Sequence, residues 1–205
     1  MPDTGAPYFI PFADPTDLVR DWPALSEDVA EAVADGLDAA GGLVAVKHVL
    51  KTDTFVSGSV AAGDNVAVPD LSITHAVADA ANRLIITAYF GVSANSGRTA
   101  SATAIAVMAG ATLLGLGDAD ENRTRVGAGG RFHTGGTFDN QISAPLSVTF
   151  VHAPNTTDAV TYTVRIFNLD SSSSRTLYVN RNEQDIDSPF FPRGSSALVI
   201  QEVKV

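Results

Sequence analysis

Cysteine is absent from the 205 residues, which excludes disulfide staples, zinc ribbons, iron–sulfur clusters and thiol nucleophiles together. Basic residues are scarce: 13 Lys and Arg face 23 Asp and Glu, for a formal charge of −10. No basic run occurs, so nucleic acid is not expected as a partner, because phosphate backbones are held by clustered cations that displace counterions. Tryptophan occurs once, but 10 Phe, 4 Tyr and an apolar fraction of 45% are enough for a packed core. The Gly-x-Ser-x-Gly elbow, the His-Glu-x-x-His helix and the P-loop are all missing. No catalytic residue, cofactor or metal ligand is assigned, and the protein is not expected to be an enzyme.

The charge is unevenly spread. Residues 1–42 hold nine acids against Arg20 alone, a charge of −8, while the other 163 residues carry −2. Five of the ten prolines fall in the first 23 residues, at Pro2, Pro7, Pro11, Pro15 and Pro23. Two compositions imply two physical parts.

Residues 1–21 lack the basic and apolar regions of a secretory signal. The run Tyr8-Phe9-Ile10-Pro11-Phe12 is apolar, but its prolines fix φ and remove donors, which favours an extended arm. Such an arm needs a surface to lie on, either its own domain or a neighbouring subunit. Phe9, Ile10 and Phe12, with Trp22, are its candidate docking side chains.

Residues 22–40 read as a helix, capped by Asp21, with Pro23 in the first turn and Gly41-Gly42 as the stop. Leu25, Val29, Val33 and Leu37 step by four, and Glu27, Asp28, Glu31, Asp35 and Asp38 take the other side. Asp35 and Asp38 oppose the helix dipole and Gly36 costs about 1 kcal/mol, so the helix is marginal alone. Burial must hold it, either across its own β domain or in a bundle with symmetry-related copies. In the bundle, Leu25, Val29, Val33 and Leu37 form the trimer seam.

After Gly42 the pattern changes to period two. Leu43–Lys51, Leu71–Val77, Arg83–Ser93, Leu146–His152, Tyr162–Asn168, Leu177–Asn180 and Leu198–Val205 alternate or are β-branched and aromatic, between Gly, Pro, Asn, Asp and Ser clusters. With 54–59 and the 99–117 region this makes eight to ten strands. The fold expected is mainly β: an antiparallel β-sandwich or jelly roll over 43–205, preceded by an attachment arm (1–21) and a helix with a Gly-Gly hinge (22–42). Residues 99–117 carry no charge over nineteen positions, but seven are Gly, Ser or Thr and six are Ala. Two strands meeting near Gly110 fit this composition better than a bilayer helix, and no membrane insertion is expected.

Isolated chemical signals remain. His48, His75, His133 and His152 are never at ligand spacing, and His48, His75 and His152 sit inside strand patterns, where they read as structural imidazoles. Asp118, Asp120 and Asn122 begin like a calcium loop, but its twelfth position is Gly129 where a bidentate acid is required. Asp118, Glu121 and Asp139 read as solvated loop acids, and the glycine-rich stretch 126–136 reads as a long surface excursion that either connects strands, the favoured reading, or carries binding.

The segment Pro15-Thr-Asp-Leu-Val-Arg-Asp-Trp-Pro-Ala-Leu-Ser-Glu-Asp-Val-Ala-Glu-Ala-Val33 resembles the opening of many tailed-bacteriophage fibre and minor tail proteins. The β part is similar in Leu71-Ser-Ile-Thr, Arg83-Leu-Ile-Ile, Gly117-Asp118 with Arg123-Thr-Arg125, Tyr162-Thr-Val-Arg165, Tyr178-Val-Asn-Arg181 and the ending Ser195–Val203. The resemblance covers nearly the whole chain through short motifs in order. It implies a virion structural protein, assembled in the bacterial host cytoplasm: a homotrimer attached through its N-terminal region to other virion proteins, its β domain pointing outward toward a host glycan or protein. The stalk is short and no collagen-like stretch follows, so a compact knob on the tail tip, baseplate or capsid is expected. A carbohydrate-binding module without catalytic activity is the alternative, with Phe132, Phe138, Phe190 and Phe191 as its only loop aromatics.

Overall fold

The computed structural model describes residues 27–33, 42–94, 102–121, 123–131, 143–170, 172–189 and 193–205. Residues 27–33 are helical (α1), at the centre of the helix expected over 22–40. Phe9, Ile10, Phe12, Trp22, Leu25 and Leu37 lie outside the described residues.

Eleven strands follow among the described residues: β1 Leu43–Lys51, β2 Phe55–Val60, β3 Asn65–His75, β4 Arg83–Ala94, β5 Ala102–Ala109, β6 Thr112–Leu114, β7 Ala128–Arg131, β8 Ala144–His152, β9 Val160–Asn168, β10 Arg175–Val179 and β11 Ser196–Val203. Three pairs of them are collinear. β10 and β11 run along the same edge of β4, at Val92–Ala94 and Arg83–Tyr89. β1 lies outside β11 and β2 outside β10, so these two also form one interrupted strand. β6 and β7 share one edge of β5 in the same way.

Counted as continuous columns, the strands number eight, and all their pairings are antiparallel. One sheet (sheet A) has the order β1/β2, β10/β11, β4, β8, and the other (sheet B) the order β3, β9, β5, β6/β7. In column numbers these are 1-8-3-6 and 2-7-4-5, the two interlocked Greek keys of an eight-stranded jelly roll. The sandwich expected from the period-two pattern is therefore the fold.

Asn180 shows why the interrupted column holds together. Its backbone has φ 61°, and its N–H donates to the Gly91 carbonyl at 2.9 Å. Its side-chain amide donates to the carbonyls of Lys51 and Asp53, both at 2.9 Å, and its Oδ1 accepts from the Ser196 hydroxyl at 2.5 Å. One side chain thus satisfies the backbone left open where β1 passes to β2 and joins the two ends of the excursion between β10 and β11. Asn is a residue that tolerates left-handed backbone.

The core lies between the sheets. Leu84, Ile86 and Phe90 of β4, Leu198 and Ile200 of β11, Leu71 of β3, Ile105 of β5 and Tyr162 and Ile166 of β9 are almost wholly buried, each contributing about 1.5–3 kcal/mol of transfer free energy for its aliphatic or aromatic bulk. Burial pushes the Tyr162 hydroxyl up to about 12, and its ring meets His152 edge-on at 5.8 Å. Pro69 and Asp70 (φ 62°) form a bulge in β3, and Pro145 opens β8; both are sheet-edge columns, where a missing donor is tolerated.

Two expectations are settled by this topology. Within 99–117, β5 and β6 form a hairpin turning at Gly110-Ala111, and no described helix is long and apolar enough to cross a membrane. The glycine-rich stretch is not wholly a connection: residues 128–131 pair with β5 as β7. Glycine is needed there because a Cβ on Gly129 would stand 2.9 Å from the Ala104 methyl.

Candidate functional site

Several polar side chains buried in the sandwich are spent on one another, while His75 Nδ1, Thr103 Oγ1 and the Tyr162 hydroxyl are buried without a hydrogen-bond partner among the described residues. Glu202 of β11 is 1% exposed; its Oε2 contacts His75 Nε2 at 2.8 Å, and its Oε1 accepts from the Ala78 N–H at 2.7 Å and the Asn82 amide at 2.6 Å. Burial alone would raise the Glu202 carboxyl, but the donors from Asn82, Ala78 and His75 outweigh it and hold the group below its ordinary value. The cluster ties sheet A to the β3–β4 turn.

At the β9–β10 turn, Asp170 accepts from the N–H groups of Ser172 (2.9 Å) and Ser173 (3.1 Å) and from the Arg175 guanidinium at 2.9 and 2.6 Å. The Ser172 N–H leads the interactions that lower its pKa, ahead of the opposing effect of burial. Lys51 is buried with its ammonium 2.9 Å from Asp53 and 3.5 Å from Asp70. These contacts act as structural clamps.

The excursion between β10 and β11 offers a shallow polar depression lined by Asp185, Ile186, Asp187, Ser188 and Arg193. Its central acid is already engaged: Asp185 takes Arg193 at 3.0 and 2.6 Å and Arg181 at 3.2 Å, and Arg193 leads the lowering of its pKa. Arg181 also lies 5.3 Å from the centre of the Tyr178 ring.

The outer faces of the two sheets differ. On sheet A three rows cross all four columns: Val46, Gln201, Ile85, Val151; His48, Val199, Thr87, Thr149; and Leu50, Ala197, Tyr89, Ser147. None of these twelve side chains is Asp, Glu, Lys or Arg. Val46 is 50% exposed, Leu50 57%, Tyr89 47% and Val151 66%. Leu43 and Val44, at the bulge opening β1, extend the patch to the corner where the chain enters the sheet.

On sheet B the corresponding face is polar or covered. Ser72, Thr74, Thr161 and Thr163 occupy β3 and β9, with the Thr74 and Thr161 hydroxyls 2.8 Å apart. Ala104, Ala106 and Phe167 form a second buried cluster, closed over by Leu113, Leu116, Val126 and Leu169 from β6, the excursion before β7 and the end of β9. Sheet A thus presents an open apolar plane, the one candidate interaction surface the described residues build.

Of the sequence-based candidates, Val29 is half-buried, Val33 is 44% exposed, and neither belongs to the hydrophobic clusters of the sandwich. His48 is exposed on the outer face of sheet A, His75 and His152 are in the contacts above, and His133 is outside the described residues. Asp118, Asp120 and Glu121 are exposed, with Asp120 paired to Arg123 at 2.5 Å; Asn122 and Asp139 are outside the described residues. Among the described residues no three His, Asp or Glu side chains converge as a metal site. Phe132, Phe138, Phe190 and Phe191 also lie outside them. The sheet A face was not identified from sequence. Its signal was present in β1, β4 and β11, where Val46, Leu50, Ile85, Val199 and Val203 are apolar out of phase with the core.

The strand order defines an eight-stranded antiparallel jelly roll with an apolar outer plane. Neither a family model nor a curated protein matches the sequence. Among solved structures, the chain is similar to "Structure of infectious bursal disease virus Gx strain" at 14% identity and TM-score 0.34, covering 78% of this chain and 40% of that one. It is also similar to "Crystal structure of infectious bursal disease virus VP2 subviral particle" at 16% identity and TM-score 0.32, covering 78% and 39%. The chain spans about two-fifths of those chains, and the jelly-roll assignment rests on its own strand order.

Proposed function

We propose that the protein is a virion structural protein: a homotrimeric knob of a tailed bacteriophage, attached by residues 1–21 to the tail tip, baseplate or capsid, with the jelly roll displayed outward. In this reading Leu25, Val29, Val33 and Leu37 close a three-helix seam, and avidity lets three heads hold a host surface through individually weak contacts. Val33 carries the reading. It is 44% exposed, and neither it nor Val29 enters the core clusters, so the sandwich leaves this part of the stripe to other partners. The residues of enzyme-like type that are buried, Glu202, His75 and Asp170, are engaged in clamps, in keeping with a role in assembly.

Sedimentation equilibrium of the full chain carrying Val29→Asp with Val33→Asp tests the seam. Three carboxylate pairs brought to one axis oppose association, so the variant is expected to sediment as a single 21.3 kDa chain while the parent does not. Mass spectrometry of purified particles tests the location. Particles assembled with the tagged chain are expected to contain it and to lose it when residues 1–21 are deleted.

A further inference from the structure

We infer that the outer face of sheet A is the surface on which the heads of neighbouring copies meet, so that the three apolar planes converge on the trimer axis. The inference rests on the trimeric reading above and deepens it, by placing a second interface beyond the helical seam.

The position of the chain entry points there. The Gly42 carbonyl accepts from the Lys204 N–H at 2.9 Å, which pins the end of the stalk at the corner of sheet A where β1 begins and β11 ends. The 41 residues before Gly42 lead to that corner. Three stalks joined along one axis bring three such corners together, and the plane next to each is the apolar one.

The β1 edge of the sheet, next to that corner, is not available for the same purpose. Lys47 reaches from β1 to the Thr74 carbonyl at 3.0 Å, and Lys51 is drawn in beside Asp53 and Asp70. Lysines turned inward along an edge strand block pairing with another strand, so at this corner contact goes through the face.

Size also favours a second copy over the chain's own helix. Four columns about 4.8 Å apart and about nine residues long span on the order of 19 by 30 Å, or about 550 Å². One helix is about 10 Å across and covers half of that width. A specific interface buries about 800 Å² per partner, a size to which the plane contributes the larger part. None of the twelve side chains of the three rows is Asp, Glu, Lys or Arg, so copies meet there without desolvating a carboxylate, ammonium or guanidinium group.

The absence of cysteine provides the test. Full-length Leu50→Cys and Val151→Cys place one thiol on the sheet A face, and Ser72→Cys places one on the outer face of sheet B. Labelling by a water-soluble maleimide is followed alongside the mass of each variant across a dilution series. The expected result is a trimer in which the two face thiols react at least about tenfold more slowly than Cys at position 72, the difference vanishing on dilution to monomer. Loss of the trimer in Leu50→Cys or Val151→Cys but not in Ser72→Cys also supports the face. A trimer with equal rates overturns this inference and leaves the helical seam standing. Monomers with slow face thiols assign the plane to the chain's own N-terminal segment and overturn it, and monomers with equal rates overturn both readings.

Discussion

The two outer faces of this sandwich come from strands of similar composition and reach opposite states. On sheet B, the apolar side chains Ala104, Ala106 and Phe167 are covered by the chain itself, through Leu116 and Val126 of the excursion between β6 and β7. On sheet A, Val46, Leu50, Ile85, Tyr89, Val151 and Val199 form a plane that no described excursion crosses, and four of the six are 47–66% exposed. Apolar sheet surface is either closed by the chain or left for another molecule, and a fold whose described residues spend a thirteen-residue excursion on one face and none on the other divides the two roles between its faces.

Substitutions should separate the faces by the size of their effect. Phe167→Ala removes a 3%-exposed ring from the covered cluster and is expected to cost about 3–5 kcal/mol, checked by urea unfolding. Next is Gly115→Ala, at the start of the covering excursion. Gly115 has φ 64° and a Cβ there would overlap the Phe150 ring, so a loss of about 2 kcal/mol is expected in the same assay. Glu202→Gln weakens the clamp common to both sheets and is expected to cost about 1–2 kcal/mol at pH 7. Because the Glu202 pKa is lowered in the folded protein, its contribution is complete above the ordinary glutamate value of 4.5 and is lost as pH falls through the lower folded value. A stability profile from pH 7 to pH 3 should therefore drop less steeply at its acid end for Glu202→Gln than for the parent. Smallest is Tyr89→Ser on the bare face, expected to change monomer stability by no more than about 0.5 kcal/mol. A loss comparable to that of Phe167→Ala would mean that the chain covers both faces.

The sequence made the sandwich legible wherever one face of a strand is apolar and the other polar. Ser72-Ile73-Thr74 and Thr161-Tyr162-Thr163-Val164 alternate, and the structure places their apolar members inside. It obscured places where long-range geometry decides. Nothing local marks Asn180 as the joint of two interrupted columns, because its partners Lys51, Asp53 and Ser196 come from elsewhere in the chain. Residues 128–131 read as a connection since glycines weaken strand propensity, yet the close approach of Ala104 requires glycine at Gly129. The sheet A face was hidden because Leu198-Val-Ile and Leu84-Ile-Ile are apolar on both sides, and a continuous run does not say which side is left open.

Light scattering of the unaltered chain, followed by dilution, tests most directly whether the bare plane and the helical stripe serve assembly. A mass of three times 21.3 kDa that falls toward 21.3 kDa at low concentration is the expected result. A constant 21.3 kDa at every concentration, with the apolar plane still exposed, would contradict it.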